Sequence, residues 1–316
     1  DYYRCEADKR AGRIPDFGVC ARATTLTNYR SNADLLAEDA ETFSYGVVFQ
    51  PKLPSGWGRL TLMLDYWRVH QINSIGLFGA TNHAALDYLL RLRGSSNPAV
   101  IRDEVTPEQL ATFDGTGLEP VGSMVEIFDS FMNLQPETIE GLDITARYDV
   151  RGTPIGNISV RLNAAHLLKY QQEPSAMAQE LLDAQASGEI DSQFLVPGTG
   201  DLLRQNGRPR WRVTGSLTWR NGPVVAGMSA RYISSVEQTG ARLADLTLWQ
   251  VDSWTTVNAY VGYDFKRGAM KGTSVRFGVN NIANKAPPLA AADFGYLGSL
   301  HNSVGRHFYA QLSKSF

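Results

Sequence analysis

The stretch VGRHFYAQLSKSF, Val304–Phe316, decides how the rest of this chain is read. Every second residue back from the terminus gives Phe316, Lys314, Leu312, Ala310 and Phe308, and the alternate set gives Ser315, Ser313, Gln311, Tyr309 and His307. One set is mostly apolar and the other polar, the period-two signature of a half-buried strand. A soluble sheet can also end this way. The decision therefore rests on how often the pattern recurs and on what separates the repeats.

It recurs many times. In WRVTGSLTWR, Trp211, Val213, Gly215, Leu217 and Trp219 alternate with Arg212, Thr214, Ser216, Thr218 and Arg220. In QVDSWTTVNAYVGYDFK, Val251, Thr255, Val257, Ala259, Val261, Tyr263 and Phe265 face away from Asp252, Trp254, Thr256, Asn258, Tyr260 and Asp264. Val275, Phe277 and Val279 alternate with Ser274, Arg276 and Asn280, and FSYGVVFQ, RLTLMLDYW, GLDITARYDV, GNISVRLNA and VVAGMSARY behave alike. Together with the terminal segment they make about nine strands.

Bulk properties exclude little. The chain has 316 residues, a net charge of -2, 43% hydrophobic and 20% charged residues, all near globular averages and without a nucleic-acid footprint. Mean hydropathy is -0.23 and no apolar run approaches the roughly 20 residues of a membrane-spanning helix. Strands that alternate escape that test, so a transmembrane β-barrel stays open. The start at Asp1, without Met or a signal-like stretch, reads as a processed or truncated product.

The connections are more telling. PKLPSGWG, VRGTPIG, RNGP and FKRGAMKG are tight and rich in Gly and Pro, and between them lie long segments, roughly 76–123, 171–206, 239–249 and 284–303. Strict alternation of short turns and long loops describes an up-and-down barrel of the outer-membrane type. Greek-key sandwiches do not keep that order.

Charge and aromatic placement agree. Asp143, Arg147, Asp149, Arg161, Arg212, Arg220, Asp264 and Arg276 share the polar face, too much charge for a solid small-barrel interior. Trp211 and Trp219 share the apolar face about 26 Å apart along the strand, the spacing of two membrane interfaces once the strand is tilted. The last strand runs towards the short-turn side, where a terminal aromatic meets the interface.

The run VRFGVNNIANKAPP, then FGY, then VGRHFYAQLSKSF resembles the C-terminal end of TonB-dependent outer-membrane receptors. LLAEDAETFSYGVVFQP, LTLMLDYWRVHQINSI and FMNLQPETIEGLDITARYDV follow that family's order of barrel segments, so the resemblance runs from about Asn32 onward. It implies an all-β fold: the C-terminal portion of a transmembrane antiparallel barrel, about nine strands of an expected 22 or so, with short helices in outer loops. It implies location in the bacterial outer membrane and import of a scarce ligand such as a siderophore or carbohydrate. Energy would come from TonB pulling on a plug domain absent from this chain. Phe308, Leu312 and Phe316 resemble the signal read by the barrel assembly machinery.

On this reading residues 1–40 form an outer loop and 41–316 the barrel strands with their long loops. Cys5 and Cys20, the only cysteines, then lie in an oxidising envelope and are expected to form a disulfide. A metal or redox site is the sharper alternative, without CxxC spacing or clustered His to support it. TNHAALDYLLRLR and SAMAQELLDAQAS have helical periodicity and are too short to stand alone. No nucleophile elbow, HExxH or other catalytic constellation occurs, and no cofactor is implied. The candidates for ligand contact are Trp67, Arg212, Asp252 and Trp254, aromatic faces and charges that suit a sugar or a chelate. A plug-packing role for Trp67 and Trp254 competes with that reading. A passive porin or structural barrel is the alternative function.

Overall fold

Alternating residues over long, turn-bounded runs build nine strands in this computed structural model, which describes residues 1–20, 25–191, 194, 196–243, 247–292 and 294–315. They are β1 Asp39–Phe49, β2 Arg59–Ile72, β3 Glu137–Thr153, β4 Gly156–Gln172, β5 Trp211–Asn221, β6 Val224–Ile233, β7 Trp254–Phe265, β8 Thr273–Asn280 and β9 His307–Lys314. Each pairs antiparallel with its neighbour in sequence, from β1 at one edge to β9 at the other. Among the described residues β1 and β9 have no second partner, so the sheet is open at both edges.

The connections alternate as expected. Residues 50–58, 154–155, 222–223 and 266–272 turn at one end of the sheet, and residues 73–136, 173–210, 234–253 and 281–306 cross at the other. Gly222 at φ 57° and Gly156 at φ 105° occupy backbone conformations that a side chain resists, which lets these hairpins close tightly.

Register shows that the two faces are continuous across the sheet. Leu217 lies opposite Val160 and Met228, Ala226 opposite Val261, Val261 opposite Phe277, and Phe277 opposite Ala310. Leu64, flanked by Val47 and Ile144, continues the same apolar face to the first edge. Val261, Phe277 and Leu312 are 52%, 59% and 72% exposed, so this face is covered by no protein core. Arg147, Arg161, Arg220, Asp264 and Arg276 occupy the alternate positions, and Arg220 donates to Asp264 at 2.5 Å.

The packed core of the chain lies in its loops. Helices α1 Tyr2–Arg10, α2 Ala80–Leu92 and α4 Ala176–Ala186 bury Tyr3, Leu86, Tyr88, Leu89, Leu181 and Phe194 against one another, with Phe113 just past the short helix α3 Pro107–Thr112. Three segments far apart in sequence thus form one cap. Cys5 is bonded to Cys20, which ties α1 to the turn at Phe17–Val19. Asp87, fully buried, accepts from Arg91 and Arg102 at 2.9 Å, so the charge is paired where burial would otherwise be costly. The segment before β1 is more structured than a loop: strand Leu26–Arg30 runs parallel to Met124–Ser130, which also pairs with Val100–Arg102.

Candidate functional site

At the long-loop end of the polar face, register assembles two rows. One runs Asp65, Asp143, Ala165, Arg212, Ile233, Trp254. The next runs Met63, Thr145, Asn163, Thr214, Arg231, Thr256. An open cleft of about 410 Å³ lies over them, lined by Asp143, Thr145, Asn163, Arg212, Thr214 and Arg231 among others. A second hollow of about 290 Å³ adjoins it across Arg231 and is walled by Asn258, Asn280, Asn302 and His307.

Arg212 and Arg231 are exposed, and neither has a hydrogen bond or ion pair among the described residues. Two guanidiniums with unused forks, beside Thr and Asn groups, can hold an anionic or polyhydroxylated molecule. The second hollow is amide-rich. Asn280 and His307 are in contact at 2.7 Å, and Asn258 accepts from the Asn281 backbone at 2.9 Å while donating to Ser229 at 3.3 Å.

The four residues singled out in the sequence meet different fates. Arg212 lines the first cleft. Trp67 stands one pleat beyond Asp65, its indole across Gly141, where a Cβ would collide with the ring. Its Nε1–H is buried and has no hydrogen-bond partner among the described residues. Trp254 is 3% exposed, packs with Ile233, Val251 and Leu300, and donates to the Ala286 carbonyl at 3.0 Å. Its indole holds down the 281–306 loop. Asp252 is exposed in the short link between strand Leu248–Val251 and β7, outside both hollows.

Arg231 is the residue that sequence reasoning passed over. It follows the polar phase of VVAGMSARY two places after Ser229, so the alternation itself marks it as inward-facing. His301 packs edge-on against Trp254 at 5.4 Å, and burial, with Arg231 nearby, lowers its pKa below the ordinary histidine value. Among the described residues no group of three His, Cys, Asp or Glu is placed to hold a metal.

Phe308 and Leu312 project from the apolar face of β9, 77% and 72% exposed, whereas Phe316 lies outside the described residues.

The family description "TonB dependent receptor-like, beta-barrel" matches residues 10–282. The chain belongs to that family. Barrels of this family are outer-membrane proteins, so the exposed apolar face of the receptor strands is the lipid face. Among solved structures, the ferric enterobactin receptor PfeA of Pseudomonas aeruginosa, in complex with BCV-L6, matches with a TM-score of 0.51 and 15% identity over 92% of this chain and 33% of its own. The siderophore receptor PirA of Acinetobacter baumannii matches at 0.52 and 14% over 91% of this chain and 33% of its own. At these identities the likeness is one of fold. The receptor chain described here spans about a third of the length of those structures, and no curated protein matches its sequence.

Proposed function

We propose that these strands belong to a receptor that imports a scarce ligand across the outer membrane, with energy delivered through TonB. The observation that carries this reading is the unpaired cationic cleft at Arg212 and Arg231, at the long-loop end of a charged face, beneath loops that pack into their own cap. A merely structural barrel needs no such cleft. Ligand is captured among the outer loops and the cleft, with Trp67 and Arg212 as contacts and Arg231 added to them. It passes inward when TonB acts on a plug supplied by the rest of the receptor. Trp254 lines the second hollow and also fixes the 281–306 loop through its bond to the Ala286 carbonyl, while Asp252 stands outside both hollows. Phe308, Leu312 and Phe316 serve recognition by the assembly machinery.

Uptake of labelled ferric siderophores and oligosaccharides by cells carrying the full-length receptor tests this. One of them should be taken up, and a protonophore should abolish the uptake. A charge-assisted contact contributes roughly 1.5–3 kcal/mol, so Arg231→Glu should raise the half-saturating concentration at least about tenfold at unchanged receptor level. Uptake indifferent to the protonophore indicates a passive porin and overturns the proposal.

A further inference from the structure

The short connections carry charge of one sign. Lys52, Lys266, Arg267 and Lys271 lie in them, and no short connection contains an Asp or Glu, although the chain as a whole is net negative at -2. Three of these cations fall in one hairpin, residues 266–272 between β7 and β8, and Lys314 at the end of β9 joins them.

The hairpin presents its charges at set positions. The Gly272 backbone donates to the Phe265 carbonyl at 2.9 Å, Lys271 to Gly268 at 3.0 Å, and Ser315 to Gly272 at 2.8 Å, which straps the end of β9 to the turn. Lys314 Nζ donates to the Lys271 carbonyl at 2.7 Å, and Lys266 Nζ to the Gly222 carbonyl at 3.0 Å. Such bonds hold the ammonium groups without neutralising them. Lys266, Arg267, Lys271 and Lys314 are all exposed, and none makes an ion pair among the described residues. The acid beside the hairpin, Asp264, belongs to the polar face, where Arg220 and Ser274 hold it. Because β7 and β9 are two strand spacings apart, the cations spread over roughly 10 Å of the rim.

Their relation to the lipid face decides what they meet. Lys314 shares the phase of Leu312 and Phe308 and lies opposite Thr273, which in turn lies opposite Phe265. It stands two residues past the last apolar residue of that lipid-facing strand, roughly 7 Å along it. On the same face Tyr263 and Phe265 meet edge-on at 4.8 Å, and Met270 in the hairpin is 45% exposed. A lysine so placed lays its stem along apolar surface and carries its ammonium to the headgroups. Short turns of such barrels face the periplasm, so these headgroups belong to the inner leaflet.

We infer that residues 266–272 and Lys314 form a docking surface for the headgroups of anionic phospholipid in the leaflet on the short-turn side. The surface is continuous with the lipid face, so phospholipid reaches it without any other partner. A zwitterionic headgroup answers its phosphate with a cation of its own. An anionic one leaves the phosphate to Lys and Arg. The inference is independent of which ligand the receptor imports.

The test places the full-length receptor in bilayer discs of equal phosphatidylglycerol and phosphatidylcholine with identical acyl chains. Met270→Cys carries a benzophenone that couples on illumination to the lipid beside it, and mass spectrometry counts the adducts. One cation near an anionic headgroup is worth about fivefold, so phosphatidylglycerol adducts should exceed phosphatidylcholine adducts at least about tenfold. Lys266→Gln, Arg267→Gln and Lys271→Gln together should cut that ratio at least about fivefold, and Lys52→Gln alone should leave it unchanged. These positions lie outside the strands, so strand pairing does not depend on them. Equal adducts in the parent receptor would assign the charges to a soluble acidic partner and overturn the inference. A ratio indifferent to the triple substitution overturns it as well. Excess inorganic phosphate should not change the ratio; its collapse would mean a site for free phosphate in place of membrane lipid.

Discussion

Tyr309 of β9 lies directly opposite Gly278 of β8 on the polar face, and its phenol ring covers the glycine so closely that a Cβ there would collide with it. Gly227 and Tyr260 repeat the arrangement between β6 and β7. A large ring folded across a bare backbone fixes register, because a shift by one residue would put the ring on the other face. Gly278→Val should therefore displace Tyr309 and cost about 1–3 kcal/mol, the range for overpacking. Thermal unfolding of the full-length receptor in detergent measures it, and Tyr309→Ala in the same background should recover part of the loss.

The cap depends on covalent closure. Cys5 and Cys20 are separated by 15 residues, and a loop of that size contributes roughly 3 kcal/mol through chain entropy. Cys5→Ser with Cys20→Ser should speed amide exchange across Tyr2–Arg10 by about a hundredfold, that free energy expressed as an opening constant. Exchange in β5 to β8 should stay as it was, since the cap core and the sheet are separate. A uniform increase would show that the cap is continuous with the barrel.

Acid should loosen the outer loops before the strands. Burial lowers the pKa of His83 against the opposing influence of Asp129, and burial lowers that of His301 with Arg231 adding to it. Both are imidazoles kept neutral by the fold. The unfolded forms bind protons near the ordinary value of 6.5, so loop stability is complete above that pH and falls as pH drops towards the depressed folded values. Limited proteolysis should find cuts in 76–123 and 281–306 more frequent at pH 5 than at pH 7.5. His301→Gln should flatten the dependence in the second segment only.

The barrel strands were legible in sequence because lipid on one side and polar contents on the other force a strict period of two. Val261 and Asp264 fall on the faces that alternation assigns them. The boundaries shifted where strands outrun the apolar band: β1 begins at Asp39 rather than near Phe43, and β2 extends through His70 to Ile72. The cap was legible only in part. Helical periodicity marked α2 and α4, but α1 carries its apolar residues without a stripe, and its burial of Tyr3 and Ala7 comes from distant segments, among them Leu86, Leu89 and Phe113. Trp254 shows the same limit. Its place on the polar face was readable, yet whether an aromatic there meets ligand or loop is set by the fold of residues 281–306, which carries no period at all.

The lipid face yields the sharpest contrast, because inner and outer positions alternate on one strand with the same neighbours. Val261 stands at the middle of β7, 52% exposed between Ala226 and Phe277, and Ser216 on β5 lies between Arg161 and Ser229 on the opposite face. An arginine on the lipid side near the bilayer midplane costs about 2–4 kcal/mol, whereas the lumen side solvates or pairs it. Val261→Arg should therefore reduce folded receptor in the outer membrane and lower its unfolding midpoint. Ser216→Glu, whose carboxylate would face Arg161 across the strands, should leave both nearly unchanged. Unfolding in detergent alone would compress the difference, since headgroups and water reach the arginine there, so folding into bilayer vesicles with urea titration is the measurement that decides. Equal losses for the two substitutions would mean that the face carrying Leu64, Leu217, Val261 and Phe277 is packed against protein and does not meet lipid.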